Sequence, residues 1–408
     1  MSIIRRDLLT MGAASAALIG TGMKARAQGK PVIKLGVLTD LSGPYKDATG
    51  PGSVALTRQA VQDFGDKGFA VEVIAADHQN KPDVGAAIAR QWCDEGVDAI
   101  VDVPTSSVAL AVNQIVREKG KVFLNSGAAT TELHGTQCSP NTVHWTYDTY
   151  MLAKGTGSAV TKAGGSTWYF LTADYVFGQA LQHDTTSFVE QAGGKVLGAS
   201  PYPFASTSDY SSFLLKAQGS GAKVLGLANA SGETVNCIKQ AREFGLDKTM
   251  KFAALLISIL DIKALGLEAG QGLLLSDVFY WDLNDRTRAL TARCKDKTGG
   301  NPPALVQAGC YGAALHYLKA VADLGVVRAK ASGAETVARM KATPSDDDAF
   351  GKGYIRPDGR HIHDVYLFEV KKPSESKGPW DLYNLVATTP GDQAFKPMSE
   401  GHCPLVKL

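Results

Sequence analysis

Cysteine is scarce and scattered: the chain has six in 408 residues, and none stands in a CxxC arrangement. That removes support for zinc and dithiol redox motifs. A dominant sign of charge is lacking too. The formal net charge is +2, and Arg5, Arg6, Lys24 and Arg26 against Asp7 place +3 of it in the first 27 residues, leaving about −1 for the rest. Nothing suggests a nucleic-acid footprint. Beyond the N-terminus no segment reaches the roughly 20 apolar residues of a spanning helix; the longest, "FAALLISIL", is short enough to be a buried strand running into a turn. Enzyme signatures are missing as well, with no GxxxxGK[ST], GxSxG or HExxH in the sequence.

The N-terminus has the grammar of an address. Arg5 and Arg6 precede a mildly apolar, Ala- and Gly-rich run, and Ala25-Arg26-Ala27 supplies a small-x-small cleavage pattern. This predicts a cleaved signal peptide over residues 1–27. Arg-Arg followed by Asp7, Leu8 and Leu9 resembles a twin-arginine signal, although Ile4 stands where Ser or Thr is usual.

After the leader, strand-like and helix-like patterns alternate. "IKLGVLTD", "VEVIAADH", "AIVDVP" and "VFLNSG" read as strands separated by helices, and the alternation restarts near "TVHWTY" and runs on through "FAALLI". Short links between alternating elements predict parallel sheets with right-handed crossovers, here in two doubly wound α/β lobes. "HIHDVYLFEV" and "WDLYNLVATT" in the tail read as strands that cross back and complete those sheets.

Ligands of parallel α/β sheets bind beyond the C-terminal strand ends. Those ends carry "TDLSGPY", "PTSS", "NSGAATTELHG", "TADYVFG", "NASGE" and "ALLIS". They offer hydroxyls, backbone N–H groups and a few aromatics, suited to a small anion at helix N-termini, with no nucleophile beside a base. "GPGSVA" (Gly50 to Ala55) fits GxGxxA, but it lies about ten residues past its strand and contains Pro51, so it is rejected as a dinucleotide site. His361 and His363, beside Asp364, share a strand face but lack a third distant ligand and read as solvated strand histidines. Glu233 and Asp77, at strand ends, read as helix-capping or ligand-binding acids.

With its leader, its two α/β halves and the stretches "GVLTDLSGPY", "FLNSGAATTEL", "ADYVFG", "CIKQAREFGL" and "DIKALGLEAGQGLLL", the chain resembles the type I periplasmic solute-binding proteins of ABC importers, nearest the leucine/isoleucine/valine-binding-like group. The likeness covers nearly the whole mature chain. It implies two Rossmann-like lobes joined by a hinge, with 32–146 plus 277–350 in lobe one and 147–276 plus 351–408 in lobe two. It also implies a monomer in the periplasm that binds a solute, presents it to a membrane permease, uses no cofactor and catalyses nothing. The family's carboxylate clamp falls on the Ser106 hydroxyl, the Ala128 backbone N–H and the Thr130 hydroxyl.

The second lobe departs from the amino-acid pattern. Leu255-Leu256-Ile257 stands where amino-acid binders place an acid for the ammonium, and Phe177 replaces a tyrosine, with Tyr175 nearby. Ser42, Tyr45 and Asn229 complete the expected binding set. The site is thus expected to hold an aromatic or aliphatic carboxylic acid, with a branched-chain amino acid as the alternative if Glu233 takes the ammonium. A periplasmic sensor of the same fold, or a secreted α/β enzyme, are the rival classes. An oxidising compartment permits a Cys138–Cys403 bridge, the alternative being two free thiols.

Overall fold

A computed structural model describes residues 29–407; the expected leader lies outside them. Residues from Pro31 onward form one compact unit. Its first sheet has the order β2-β1-β3-β4-β5, all parallel. The strands are β1 (Val32–Thr39), β2 (Ala70–Asp77), β3 (Ala99–Asp102), β4 (Val122–Asn125) and β5 (Thr142–His144). Helices α1 (Gly50–Phe64), α2 (Pro82–Asp94) and α3 (Ser106–Glu118) connect them. The central strands β3 and β4 are buried at every residue, because helices cover both faces; hence their unbroken apolar runs.

The crossing to the second half runs through α4 (Thr149–Leu152), a π-helical turn over Ala153–Gly157, and α5 (Ser158–Lys162). The sequence pattern predicts one continuous helix there. Instead the helix bulges where Gly155 passes so close to Ser276 that a Cβ would lie 2.1 Å from its Oγ. The second parallel sheet has the order β7-β6-β8-β9. It is built from β6 (Thr167–Ala173), β7 (Lys195–Tyr202), β8 (Val224–Ala230) and β9 (Lys251–Leu256), with α6 (Val176–Gln191), α7 (Ser211–Gly219), α8 (Ser231–Glu243), α9 (Ile259–Leu265) and α10 (Leu267–Gly270).

After β10 (Leu274–Asp277) and α11 (Asp285–Cys294), the 20-residue α12 (Leu305–Leu324) packs along α1, so the core of the first half includes a late segment. Helices α13 (Val326–Ala331) and α14 (Gly333–Ala342) follow. The tail strands β11 (Ser345–Asp347), β12 (Gly351–Ile355), β13 (His361–Ile362), β14 (Val365–Val370) and β15 (Tyr383–Thr389) do not join the parallel sheets as expected. They make two small antiparallel sheets, β11-β12-β13 and β10-β14-β15. As β pairing, the tail meets β5 through an isolated bridge between His144 and Arg360. Helices α15 (Gly391–Ala394) and α16 (Met398–Gly401) end the fold, and a Cys138–Cys403 disulfide fastens them to the first half.

His361 and His363 are not solvated as expected. Both are buried; His361 stacks on Trp145 at 3.7 Å and shares a 2.7 Å hydrogen bond with Ser345, while His363 Nε2 lies 2.8 Å from the Thr146 carbonyl. Beside them Arg360, fully buried, donates to the His144 and Thr146 carbonyls and faces the buried Asp148 carboxylate at 3.4 Å. The tail is thus locked onto the segment where the chain passes from the first half to the second. Among the described residues no helix is long and apolar enough to cross a membrane, and no group of three His, Cys, Asp or Glu is placed to hold a metal.

Candidate functional site

The C-terminal strand ends of the two parallel sheets meet at a cleft that, with its mouth, holds about 410 Å³ of empty space. From the first half come Tyr45, Ala48, Thr49, Pro104, Gly127 and Tyr147, joined by Leu305 and Val306 at the start of α12. The second half supplies Tyr175, Phe177, Ala230, Ser231, Leu256, Ser258 and Asp261. Apolar and aromatic walls with a few convergent polar groups are what a small organic ligand needs.

Tyr45 is aimed by its own loop. After β1, Asp40 accepts hydrogen bonds from the backbone N–H groups of Ser42, Gly43 and Tyr45 (3.2, 2.6 and 2.9 Å) and from Asn80 Nδ2 (2.8 Å). This Asx-type folding carries the tyrosine over the cleft, where its hydroxyl lies 2.5 Å from that of Tyr175. Phe204 backs the pair, stacked on Tyr175 at 4.1 Å and on Tyr45 at 5.5 Å. The mouth is therefore closed by contacts reaching from one half to the other. Burial raises both tyrosine pKa values well above the ordinary range, so the contact is between neutral hydroxyls.

Where β3 gives way to α3, Asp102 (φ 81°) and Val103 (φ 61°) both occupy the left-handed region, which is strained for a β-branched residue and typical of functional turns. The turn brings Pro104 to the wall. A Cβ on Gly127 would lie 2.6 Å from Asp102 Oδ1, so glycine is needed for this close approach. Asp102 itself is fully buried, and desolvation pushes its carboxyl up to about 7.

Of the residues singled out in the sequence, Tyr45, Tyr175 and Phe177 line the cleft. Ser106, Ala128 and Thr130 are not among the lining residues; they follow the lining Pro104 and Gly127 in the chain and are buried. Ser106 Oγ has no hydrogen-bond partner. The Thr130 hydroxyl oxygen accepts from Glu132 N at 3.3 Å, leaving its proton to donate, whereas the Ala128 N–H is already given to Asn125 Oδ1 at 3.1 Å. Three others turn elsewhere. Ser42 donates to Asp77 at 2.6 Å, and Asn229 accepts from Thr234 at 2.7 Å. Glu233 accepts from Tyr202 Oη (3.0 Å) and Ala205 N (3.1 Å), its carboxyl pushed up to about 7 by burial.

The acid that does line the cleft, Asp261, was not singled out. It belongs to a capping box at the start of α9, accepting at Oδ2 from Ser258 N (2.8 Å) and Ser258 Oγ (2.7 Å). Desolvation raises its carboxyl to about 6. The Ser-x-x-Asp spacing signals the cap but not the direction of its second oxygen.

Residues 32–378 match the model of the family described as periplasmic binding protein. No curated protein matches the chain. Among solved structures, a periplasmic binding protein from Burkholderia mallei is 50% identical over 93% of this chain and 100% of its own, with a TM-score of 0.88. A branched chain amino acid ABC transporter periplasmic ligand-binding protein from Burkholderia xenovorans is 39% identical over 91% and 99%, with a TM-score of 0.79. A solute-binding protein of an ABC transporter from R. palustris, solved with benzoate, shares the fold at 19% identity over 88% and 97%, with a TM-score of 0.78. The cleft between two parallel α/β sheets and the full-length likeness lead to one conclusion: this chain belongs to the periplasmic binding protein family.

Proposed function

We propose that the protein is the substrate-binding component of an ABC importer, capturing a small solute with a carboxylate and an apolar body and delivering it to a membrane permease. The observation that carries this is the cleft itself, an apolar, aromatic cavity walled by both halves; the unpartnered Ser106 hydroxyl stands at the α3 N-terminus, two residues after the lining Pro104. A helix N-terminus favours an anion, and a buried hydroxyl without a partner favours a ligand that supplies one.

Ser106 and Thr130 would donate to the carboxylate; Ala128 would have to exchange its bond to Asn125. Tyr175 and Phe177 would cover the body of the solute. In this account lobe one is built on 32–146 with 277–350 and lobe two on 147–276. The tail after 351 is shared: β14 and β15 follow β10, while Arg360 and Cys403 hold to the first lobe. The protein would act as an exported monomer after loss of residues 1–27. A branched-chain amino acid is the second reading, favoured by the acid Asp261 in the wall.

A thermal-shift and titration-calorimetry screen of amino, aliphatic and aromatic acids, each beside its amide, tests the proposal. Carboxylates should bind and shrink the radius of gyration in X-ray scattering. Amides binding equally well, or tight binding without compaction, would count against it.

A further inference from the structure

We propose that the first half binds a monovalent cation of about sodium's size, held by the Asp102 carboxylate and the hydroxyls of Thr39, Ser53 and Ser126 behind the cleft wall. The assignment goes beyond solute capture and does not depend on it. Five elements meet there. Thr39 ends β1, Asp102 ends β3, Ser126 follows β4, Ser53 lies in the first turn of α1, and Cys310 comes from α12. All five residues are at most 1% exposed. The Thr39 and Ser53 hydroxyls and the Cys310 thiol face the Asp102 carboxyl, and Cys310 in turn faces Ser53 and Ser126. Yet neither carboxylate oxygen, nor the Ser53 or Ser126 hydroxyl, has a hydrogen-bond partner. The Thr39 oxygen accepts from Gly50 N at 3.0 Å and keeps a second lone pair. Behind the group, Asp102 Oδ1 approaches Gly127 of the cleft wall.

Buried hydroxyls and carboxylates normally close hydrogen bonds. Four oxygens that stand together unpaired mark a shared point rather than a set of pairs. Around a cation with bonds of about 2.4 Å, neighbouring ligand oxygens stand about 3.4 Å apart, too far to bond one another well. The charge balance has the same sense. A carboxylate buried without a cation is unfavourable. The charge that acts on Asp102 is that of Asp40, a second acid, and no Lys, Arg or His bonds either oxygen. One carboxylate among neutral hydroxyls supplies a single negative charge, which suits a monovalent ion; divalent cations take more carboxylates or keep several waters. The Cys310 thiol closes the group without being a ligand: burial raises its pKa well above the ordinary range and keeps it protonated, unlike the thiolates that hold soft metals. A cation here would fix the left-handed turn at Asp102 and Val103 and cancel the negative charge behind Gly127.

The test is thermal unfolding of the mature protein without solute, in sodium, lithium, potassium and choline chloride at one ionic strength. The buffer is held at about pH 8, above the value of about 7 to which burial pushes the Asp102 carboxyl. Sodium should raise the midpoint over choline by about 2–4 °C, saturably, and by more than potassium does. In D102N the four salts should give one midpoint. S53A keeps the carboxylate and removes a peripheral ligand; half-saturation should move to about tenfold higher sodium, the loss of about 1.4 kcal/mol. A crystal structure from sodium should place a peak about 2.3–2.6 Å from the Asp102, Ser53 and Ser126 oxygens. Equal midpoints in all four salts would overturn the proposal. So would a sodium effect that survives in D102N, which places the ion elsewhere, or contacts of about 2.8 Å in the crystal, which identify a water. Stability that rises as pH falls from about 8 to 6, equally in sodium and choline and not in D102N, puts a proton in the cation's place and overturns it too.

Discussion

Replacing Tyr175 by Phe should weaken closure of the cleft by an amount set by what it leaves behind. In the closed arrangement Tyr45 is 5% exposed, its hydroxyl lies 2.5 Å from that of Tyr175, and Phe204 stacks against both rings. With Tyr175 truncated, the Tyr45 hydroxyl faces aromatic carbon. Stranding a buried hydroxyl costs about 1–3 kcal/mol. When the halves separate, the same hydroxyl meets water, so the penalty falls on the closed form alone. The closing equilibrium then shifts by about 5- to 150-fold. Where the closed form is the minority in the free protein, ligand affinity weakens by the same factor.

Replacing both tyrosines by Phe removes donor and acceptor together and leaves nothing stranded. The double variant should therefore close more readily than Tyr175→Phe alone. Calorimetry for affinity and X-ray scattering for the radius of gyration, with and without ligand, measure the two quantities separately. If Tyr175→Phe changes neither, or if the double variant is worse than the sum of the singles, the contact is incidental and the reasoning fails.

Four further outcomes are expected. Thr130→Val should lower affinity for a carboxylate by roughly ten- to a hundredfold, through loss of one bond to a charged group; unchanged calorimetry removes Thr130 from the clamp. Arg360→Met strips the buried Asp148 of its cation and of a fixed partner for two carbonyls, so urea unfolding should show a loss of about 3–5 kcal/mol, smaller when Asp148→Asn accompanies it. Cys138→Ser with Cys403→Ser opens a covalent loop of sequence separation 265 and should lower stability by about 2–5 kcal/mol, whereas a melt indifferent to reductant would refute it. His78 is fully buried, its Nδ1 accepts from Asn80 N at 3.0 Å, and burial lowers its pKa to about 4. The unfolded chain therefore binds more protons between about pH 6.5 and 4, and roughly 3 kcal/mol of stability is lost as pH falls through that window; His78→Gln should flatten the slope there, and an unaltered slope would show that His78 is protonated in the fold.

The parallel sheets were legible because their strands are buried on both faces and announce themselves as apolar runs between helices. The tail was not: β14 and β15 alternate like any half-buried strands, and which partner they pair with is decided by β10, about ninety residues earlier in the chain for β14. Strand-end positions were legible in the same way, but the direction of each side chain was not. Tyr45, Tyr175 and Phe177 reach the cleft, while Ser42, Asn229 and Glu233, equally close to strand ends, are drawn aside by Asp77, Thr234 and the Tyr202–Ala205 pair. Those partners come from neighbouring strands, a helix and a turn that strand periodicity does not align. Phe204 was missed because it follows the edge strand β7, outside the rows that meet at the cleft. Asp261 was missed for the opposite reason: its local role in the cap is complete in four residues, and a residue with a sufficient local explanation gives the sequence no cause to seek a second. Only the fold shows that Asp261, whose carboxylate accepts both Ser258 bonds at Oδ2, lines the cleft with Leu256 and Ser258.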